Sequence, residues 1–386
     1  MRDAVICAAV RTPVGKRAGG LSGVHAVDLS AHVLGALAER SGIDPTVVDD
    51  VFWGCVGQVG EQSFNIGRNA ALAAGWPESV PGLTIDRQCG SSQQAVAFAA
   101  ATVLSGQADV VVAGGVECMS RVPMGSAAGD GRSGRPLGPR FLERYDGVHP
   151  DQGVGAEMMA ERWGFSRTQL DEYALSSHEK AATAQADGAF DEQIAPVTLD
   201  DGTVVRADEG IRPGGTLEKL GSLKTPFKAD GVISAGNASQ ISDGSAALLV
   251  TTSDRARELG LRPLVRIHTT VMAADDPVIM LTAPIPATQK VLTRSGLSLD
   301  DIGIFEVNEA FAPVPLAWLA DIGADASRMN PVGGAIALGH PLGASGARIM
   351  TTLIHQMQAT GTRYGLQTMC EGGGMANATV LELLSA

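Results

Sequence analysis

The sequence lacks several features that would assign it to particular classes of protein. Aromatic residues make up 4% of its 386 residues and charged residues 18%, and no apolar run approaches the roughly 20 residues that cross a bilayer. Its amino-terminal stretch also lacks the long apolar segment of a secretory signal. Cysteine is scarce and forms no C-x-x-C pair; the five positions are Cys7, Cys55, Cys89, Cys118 and Cys370. We therefore expect no membrane association, no disulfide framework, no metal site, and a reduced chain in the cytoplasm.

Positive charge is also scarce. The chain has 29 Lys and Arg against 42 Asp and Glu, a formal net charge of −13 at pH 7. Nucleic acids and anionic membranes would be repelled by this excess, so we expect neither as a partner. The sequence also contains no Walker A loop, no H-E-x-x-H helix and no G-x-S-x-G elbow. A phosphate-bearing ligand would need a local basic patch.

An internal repeat at a spacing near 254 residues is the strongest sign of organisation. Four segments recur in the same order: 40–43 at 294–297, 49–52 at 300–303, 90–92 at 344–346, and 110–115 at 367–374. We interpret them as two copies of one α/β unit. The apolar stretch 94–104 predicts a buried helix, and the β-branched run 109–113 predicts a strand of the kind found in parallel sheets, ending at Gly114.

The segment between the two copies has a different composition, rich in glycine, proline and charge. It predicts an inserted loop domain at 119–240, with one amphipathic helical stretch near 155–187 and Ser166 as an N-cap. The amino-terminal half then covers 1–118 and is completed by about 241–264. The carboxyl-terminal half covers 265–386.

Cys89 lies just before the buried helix, in the stretch DRQCGSS. A sulfur at a helix N-terminus is close to unpaired N–H groups and about half a positive charge, which favours the thiolate. A small buried hydrophobic residue is the alternative explanation, and the segment alone does not decide between them.

Three further residues carry groups suited to chemistry near predicted turns or strand ends. His340 stands between glycine and proline in a glycine-rich loop, although a surface histidine is the alternative there. Asn308 and Cys370 each follow a predicted strand, 302–307 and 365–369 respectively. Ligands of open α/β sheets bind outside the carboxyl ends of the strands, so these groups and Cys89 could converge.

Five segments together carry a resemblance to a known family. They are QCGSS at 88–92, AGNASQISDG at 235–244, NEAFA at 308–312, NPVGGAIALGHPLGASG at 330–346 and CEGGG at 370–374. In these segments the chain resembles the thiolases over nearly its full length, and within them the bacterial degradative branch, including enzymes of sterol breakdown. The resemblance implies an α/β thiolase fold of two duplicated βαβαβ halves in a layered αβαβα core, assembled as a homodimer or homotetramer.

The resemblance also implies an activity and a set of roles. A 3-ketoacyl-CoA would be cleaved by CoA to acetyl-CoA and a shortened acyl-CoA. Cys89 would attack the keto carbon and carry the acyl group, and His340 would activate it beside a water held by Asn308. Cys370 would donate a proton to the departing acetyl-CoA enolate and then remove the proton of the incoming CoA thiol. The N–H groups of Cys89 and Gly372 would form an oxyanion hole.

The coenzyme would be bound as a substrate, with no resident cofactor. By the same resemblance Arg212 meets its nucleotide end, Phe227 and Met280 lie along the pantetheine, and Ser239 donates a hydrogen bond to it. Arg212 belongs to a group of basic residues in the second half of the inserted segment. A solvated surface is the alternative explanation for that group.

The sequence departs from the family pattern at three places. Ser92 replaces a usual glycine and could narrow the acyl pocket, and a His-Met or Gln-Met pair is missing near Asp151 and Gln152. Glu371 stands where small or apolar residues are common. A biosynthetic acetoacetyl-CoA thiolase and a non-catalytic acyl-CoA-binding homologue stay open as alternatives. A ketoacyl synthase is disfavoured by Cys370, and the acyl chain length or ring content is undecided.

Overall fold

The computed structural model describes residues 2–129 and 134–384. The strands are β1 Val5–Arg11, β2 Gly15–Lys16, β3 Asp50–Gly54, β4 Leu83–Ile85, β5 Val110–Cys118, β6 Val197–Thr198, β7 Val204–Val205, β8 Ser242–Thr251, β9 Val265–Ala274, β10 Ile304–Val307, β11 Tyr364–Glu371 and β12 Met375–Leu383. The α-helices are α1 Ala26–Ser41, α2 Ile66–Ala73, α3 Ser91–Ser105, α4 Pro139–Arg144, α5 Gln152–Trp163, α6 Arg167–Ala186, α7 Leu217–Gly221, α8 Ser253–Glu258, α9 Pro284–Ser295, α10 Pro313–Ile322, α11 Ala335–Leu338 and α12 Ser345–Thr360.

The main sheet repeats one pairing scheme twice. Its order is β10-β11-β12-β9-β1-β8-β5-β3-β4. In the first half β3 and β5 are parallel, while β8 pairs antiparallel with both β5 and β1. In the second half β10 and β11 are parallel, while β12 pairs antiparallel with both β11 and β9. Only two residue pairs join β1 to β9, so the sheet consists of two matching units. The duplication predicted from the repeat is confirmed.

Helices lie between and outside the two strand sets, which gives the layered α/β architecture that the resemblance implies. Helices α3 and α12 pack on each other, and α12 also contacts strands of both halves. Their side chains and those of the strands share one apolar cluster. Helix α1 covers one outer face with α2, and α9 covers the other with α10. Gly346 is required at the crossing, because a Cβ there would overlap the backbone nitrogen of Gln93.

The strand predicted to end at Gly114 continues to Cys118, and its neighbours are not all parallel. Gly114 and Gly115 therefore do not form a turn. A Cβ on Gly114 would overlap the carbonyl oxygen of Ala246 on β8, and one on Gly115 would overlap that of Gly343. The glycines serve close packing within a mixed sheet.

The ends of α1 and α9 show the repeat in detail. Each helix ends at a glycine in the left-handed region, Gly42 with φ 71° and Gly296 with φ 72°. This conformation has little steric cost for glycine alone, and it stops the helix. The matched segments at 40–43 and 294–297 therefore encode the same cap.

The stretch near 155–187, where the sequence predicts one helix, contains two. Helix α5 ends at Gly164, with φ 70°, and α6 begins after Ser166. Ser166 is the N-cap, as predicted, and forms a capping box with Gln169. β8 returns from this segment to lie between β5 and β1, which supports the proposed boundary near residue 241. In the ranges 2–129 and 134–384 no helix has the length and apolarity to cross a membrane.

Candidate active site

A tight turn carries Cys89 at the start of α3. The backbone N–H of Gln88 donates to Asp86 Oδ1 at 2.7 Å, and that of Gly90 donates to the carbonyl of Arg87 at 3.1 Å. Gln88 itself has a positive φ of 48°, an uncommon conformation for a residue with a side chain. We call residues 86–90 the Cys89 turn. It places the Cys89 side chain in the interior, with 3% of the residue exposed.

His340 is fixed by a second tight segment. Helix α11 ends at Gly339, whose φ of 91° reverses the chain. A Cβ at Gly339 would press against the side chain of Ser242. The next N–H, that of His340, donates to Ser242 Oγ at 3.1 Å. The imidazole is consequently buried, so the alternative of a surface histidine is excluded.

The hydrogen bonds of His340 assign its tautomer. Nδ1 lies 2.6 Å from Ser345 Oγ, and that hydroxyl donates its one proton to the carbonyl of Pro341 at 2.8 Å. Ser345 can then only accept, so Nδ1 carries the hydrogen and Nε2 is the free base. Burial, and secondarily the charge of Arg348, lowers the pKa of His340 to about 3. The imidazole is neutral at physiological pH.

Asn308 lies beside the free nitrogen of this imidazole. Its Nδ2 is 3.4 Å from His340 Nε2, and its backbone N–H donates to Thr368 on β11 at 3.1 Å. Asn308 Oδ1 is buried and has no partner among the described residues. A buried amide oxygen without a donor is costly, so this oxygen suits a water or a substrate group.

Burial raises the pKa of both site cysteines. Burial, and then the charge of Glu371, raises the pKa of Cys89 to about 12, although the Gln152 amide and the N–H of Gly372 act in the opposite direction. Burial, and then the Cys89 charge, raises the pKa of Cys370 well above its usual value. Burial therefore opposes the thiolate that the helix N-terminus favours at Cys89. Desolvation outweighs the helix end.

The neutral groups are arranged for coupled proton transfer. Two thiols and a neutral imidazole hold no charge at rest, so a proton has to move as a bond forms. The N–H groups of Cys89 and Gly372 both interact with the Cys89 sulfur. Donors in this position can stabilise negative charge on the carbonyl oxygen of an acyl group that is bonded to that sulfur. Cys370 lies within β11, one residue from its end rather than beyond it.

The residues expected along pantetheine adjoin Cys370. Met280 and Phe311 share one apolar cluster with Cys370. Phe227 meets Phe311 edge to face, with ring centroids 6.1 Å apart. Phe227 is partly exposed, as a group that covers a bound ligand would be.

Ser239 and Arg212, the residues expected near the rest of the coenzyme, lie close to the segment that contains Phe311. The N–H of Ser239 donates to the carbonyl of Ala310 at 2.9 Å. Next to it, Gln240 Oε1 accepts from Arg212 Nη2 at 3.2 Å, and Arg212 is exposed. Contacts through Phe311, Ala310 and Gln240 therefore connect the surroundings of the four predicted coenzyme residues. The structure does not assign their roles, which stay predictions.

A cavity of about 730 Å³ opens beside Cys89. Its walls are mainly apolar, with Gln152 and Glu117 among the few polar groups; the apolar side chains are Val56, Met119, Val122, Pro123, Met124, Ala127, Ala128, Pro136, Leu137, Phe141, Pro150, Pro277, Met280, Leu342 and Met375. Gln152 Nε2 lies 4.0 Å from Cys89 Sγ. Cys89 and Met280 thus line the same apolar chamber.

Two departures from the family pattern are explained by packing. Ser92 does not narrow the cavity, because its Oγ accepts the N–H of Ala347 at 2.9 Å in the uncapped first turn of α12. At Gly153 a Cβ would overlap the ring of Phe227, so this position has no room for a methionine while that ring is in place.

Glu117 is a site-supporting residue that the sequence reasoning missed. Its buried carboxylate accepts from the N–H groups of Val56 and Gly57, from Gln62 Nε2, and from the N–H of Gly343 at 2.8 Å. It therefore ties the His340 segment to the first half. A charged residue at the end of an apolar strand was the available signal.

Glu309, in the second half, is another buried acidic residue that holds the segment before His340 in place. It accepts from Tyr173 and Ser177 of α6, from Asn330 Nδ2, and from the N–H of Ile336 on α11. The inserted segment is thereby fastened to the segment that leads to His340. Among the residues that the structure describes, no group of three His, Cys, Asp or Glu could hold a metal ion.

Comparison with family models gives two matches that together span almost the whole chain. The model described as "Thiolase, N-terminal domain" matches residues 4–254, and the one described as "Thiolase, C-terminal domain" matches residues 261–383.

Individual proteins show the same likeness. The chain is 50% identical to the steroid 3-ketoacyl-CoA thiolase FadA6 of Mycobacterium tuberculosis, over 100% of this chain and 95% of that protein. It is 44% identical to a 3-ketoacyl-CoA thiolase of Aliivibrio fischeri, over 99% and 100%. The crystal structure of the Bacillus anthracis acetyl-CoA acetyltransferase superposes with a TM-score of 0.92 at 40% identity, covering 100% of this chain and 99% of that one.

Proposed function

Because the chain belongs to the thiolase family, we propose that it is a 3-ketoacyl-CoA thiolase. It cleaves a 3-ketoacyl-CoA with free CoA to acetyl-CoA and a shortened acyl-CoA. The observation that carries this proposal is the pairing of Asn308 with the neutral imidazole of His340, together with the position of Cys370 close enough to Cys89 for each to affect the other's charge.

In the first half-reaction Cys89 attacks the 3-keto carbon. Its proton passes to His340 Nε2 as the carbon–sulfur bond forms, and Asn308 with a water holds the keto oxygen beside that nitrogen. The bond between C2 and C3 then breaks and leaves the shortened acyl group on Cys89. Cys370 donates its proton to C2 of the departing acetyl-CoA enolate and becomes a thiolate.

In the second half-reaction the thiolate of Cys370 removes the proton of an incoming CoA thiol. The CoA sulfur attacks the acyl carbon, and the oxyanion is held by the N–H groups of Cys89 and Gly372. The Cys89 sulfur leaves and takes back the proton from His340. All groups return to their starting state, and no external acid, base or cofactor is consumed.

CoA is bound by the inserted segment and its surroundings. Arg212 meets the nucleotide end, Ser239 donates a hydrogen bond to the pantetheine, and Phe227 and Met280 cover it. The contact of Phe227 with Phe311, the apolar cluster that Met280 and Phe311 share with Cys370, and the contact of Arg212 with Gln240 support this assignment. We assign 119–240 as the inserted domain, between an N-terminal half of 1–118 plus about 241–264 and a C-terminal half of 265–386.

The size of the cavity favours a degradative enzyme over one confined to acetoacetyl-CoA. An acetyl group on Cys89 would leave most of the roughly 730 Å³ unfilled, and an apolar chamber suits a longer or ring-bearing acyl group. A relative at 50% identity is named as a steroid enzyme, which agrees with a bulky substrate. The cysteine and the histidine are both present and placed together, which disfavours a non-catalytic homologue.

We place the protein in the cytoplasm as a homo-oligomer. The described residues include all five cysteines, and each is free, as a reducing compartment would keep them. The sheet ends at β4, and large apolar side chains are exposed on the elements beside it, Phe64 at 90% and Phe98 at 46%. A second copy of the chain could cover them, as a dimer or within a tetramer.

The test is thiolysis of a graded set of 3-ketoacyl-CoA substrates with free CoA. We expect kcat/KM to rise from acetoacetyl-CoA to medium-chain and ring-bearing substrates as the cavity fills. A preference for acetoacetyl-CoA would favour the biosynthetic alternative, and no cleavage of any substrate would overturn the proposed function.

A further inference from the structure

Glu371 is a buried carboxyl inside the site that the reaction above does not use. It stands between Cys370 and Gly372 at the end of β11. Its side chain is completely buried and lies against the Cys89 turn, where a Cβ on Gly90 would overlap Glu371 Oε1. The carboxyl therefore touches the backbone that carries the nucleophile.

Little in the surroundings stabilises a charge on this carboxyl. In the parts of the chain that the structure describes, neither oxygen has a hydrogen-bond partner. The nearest cation is Arg87 in the Cys89 turn, with Nη1 3.9 Å from Oε2, beyond hydrogen-bonding distance. Helix α3 contains no charged residue, and the one charge on β12, Glu382, lies at the far end of that strand. On β12 the neighbouring Asn377 contributes an amide.

Much of the negative charge of the proposed reaction develops next to this carboxyl. It develops on the Cys89 sulfur as its proton leaves, on the Cys370 thiolate and on the oxyanion at Gly372, whereas the keto oxyanion lies beside Asn308. Burial raises the pKa of Glu371 to about 8, although Arg87 and the backbone N–H of Asn377 act in the opposite direction. When ionised, Glu371 raises the pKa of both cysteines. Its neutral and ionised forms therefore have opposite consequences for the nucleophile.

We propose that Glu371 is a positioning residue that acts through Cys89: its neutral form permits a negative charge on the Cys89 sulfur, and its ionised form opposes one. In alkaline conditions the reactivity of the Cys89 sulfur then rises less than the pH alone would make it rise. As a carboxylic acid, Glu371 is mostly neutral below about pH 8 and mostly ionised above it. The consequence for catalysis rests on the proposed function; the consequence for Cys89 does not.

The direct test is the rate at which iodoacetamide alkylates Cys89, followed by peptide mass spectrometry at pH 6.5 and pH 9. We expect Glu371→Gln to match the wild type at pH 6.5 and to react about tenfold faster at pH 9, the effect of one pKa unit. Glu382→Gln is the matched control, a carboxyl at the opposite end of the β11–β12 pair, and should leave both rates unchanged. Equal rates for Glu371→Gln and wild type at both pH values would overturn the proposal.

A second measurement needs no variant. In the wild-type protein the logarithm of the Cys89 alkylation rate should rise by less than one per pH unit between pH 7 and 9, because Glu371 ionises in that range. A slope of one throughout would overturn the proposal. Glu371→Met, apolar and of similar length, should restore the full slope if the glutamine variant does not fold.

Thiolysis at the same pH values connects this property to catalysis. We expect kcat/KM of the wild type to fall above pH 8 and that of Glu371→Gln to be maintained there. A variant that lost activity equally at all pH values would show a merely structural role and contradict the proposal. If alkylation follows the expectation and no substrate is cleaved, the proposed function fails while the effect of Glu371 on Cys89 stands.

Discussion

At the scale of single residues, the site is neutral until it meets a substrate. Burial raises the pKa of Cys89 to about 12 and lowers that of His340 to about 3, so neither group is charged at physiological pH. A neutral nucleophile and a neutral base avoid the cost of a buried ion pair. The proton moves only when the reacting carbon provides somewhere for the charge to go.

Cys370→Ala separates the two proposed cysteine roles. The variant keeps Cys89 and His340, so the acyl group should still form on Cys89, although slowly. Turnover should fall by about 10²- to 10⁴-fold, the usual contribution of a general acid and base. Rapid-quench experiments measure the formation of the acyl group on Cys89, and steady-state thiolysis measures turnover. Turnover near the wild-type rate would exclude Cys370 as the proton carrier.

The sequence identifies the reactive residues but not their ionisation. Asn308 lies beside His340, and Cys89 lies close enough to Cys370 to affect its pKa, in agreement with their positions at turns and strand ends. The sequence left the ionisation of Cys89 open, because burial is a property of the tertiary structure. Ser92 likewise points toward α12, a direction that depends on how two helices cross.

At the scale of elements, the site depends on close backbone contacts that only glycine allows. Strand β5 passes directly against the segment that holds His340, and Gly115 is the point of contact. The short β-branched run predicted the strand, but the two following glycines were interpreted as a turn. Nothing in the local sequence shows that another backbone lies against them.

Gly115→Ala should therefore damage both stability and catalysis. The added methyl group overlaps the carbonyl of Gly343, and such overpacking costs about 1–3 kcal/mol. Gly35→Ala is the control: Gly35 lies in α1 with no atom near its Cβ position, and alanine should stabilise the helix by about 0.5–1 kcal/mol. Urea unfolding gives both values. An unchanged free energy of unfolding for Gly115→Ala would contradict this packing.

At the scale of the whole molecule, each of the two copies of one unit contributes residues to the proposed site. The first half supplies Cys89, and the second supplies Asn308, His340 and Cys370. The repeat in the sequence predicted this doubling, because matched caps and turns survive as short motifs. It did not predict the antiparallel strands β8 and β12, since strand direction depends on how distant segments pair.

The exposed apolar residues beside β4 should lie in contact with a second copy. Phe64→Ser removes a ring that is 90% exposed and makes no structural contribution within one chain. We expect it to weaken association without unfolding the protein, which sedimentation velocity measures over a range of concentrations. Leu217→Ser, an exposed apolar residue on α7, is the control. A wild-type chain that stays monomeric at all concentrations would rule out this interface.

The most direct measurement of the whole account is the covalent intermediate. The protein is mixed with a 3-ketoacyl-CoA in the absence of free CoA, quenched in acid, and analysed by peptide mass spectrometry. We expect the shortened acyl group on the peptide that contains Cys89, one acetyl-CoA released per acylated chain, and neither product with Cys89→Ala. Acetyl-CoA released without an acyl group on Cys89, or an acyl group on Cys370 instead, would contradict the account.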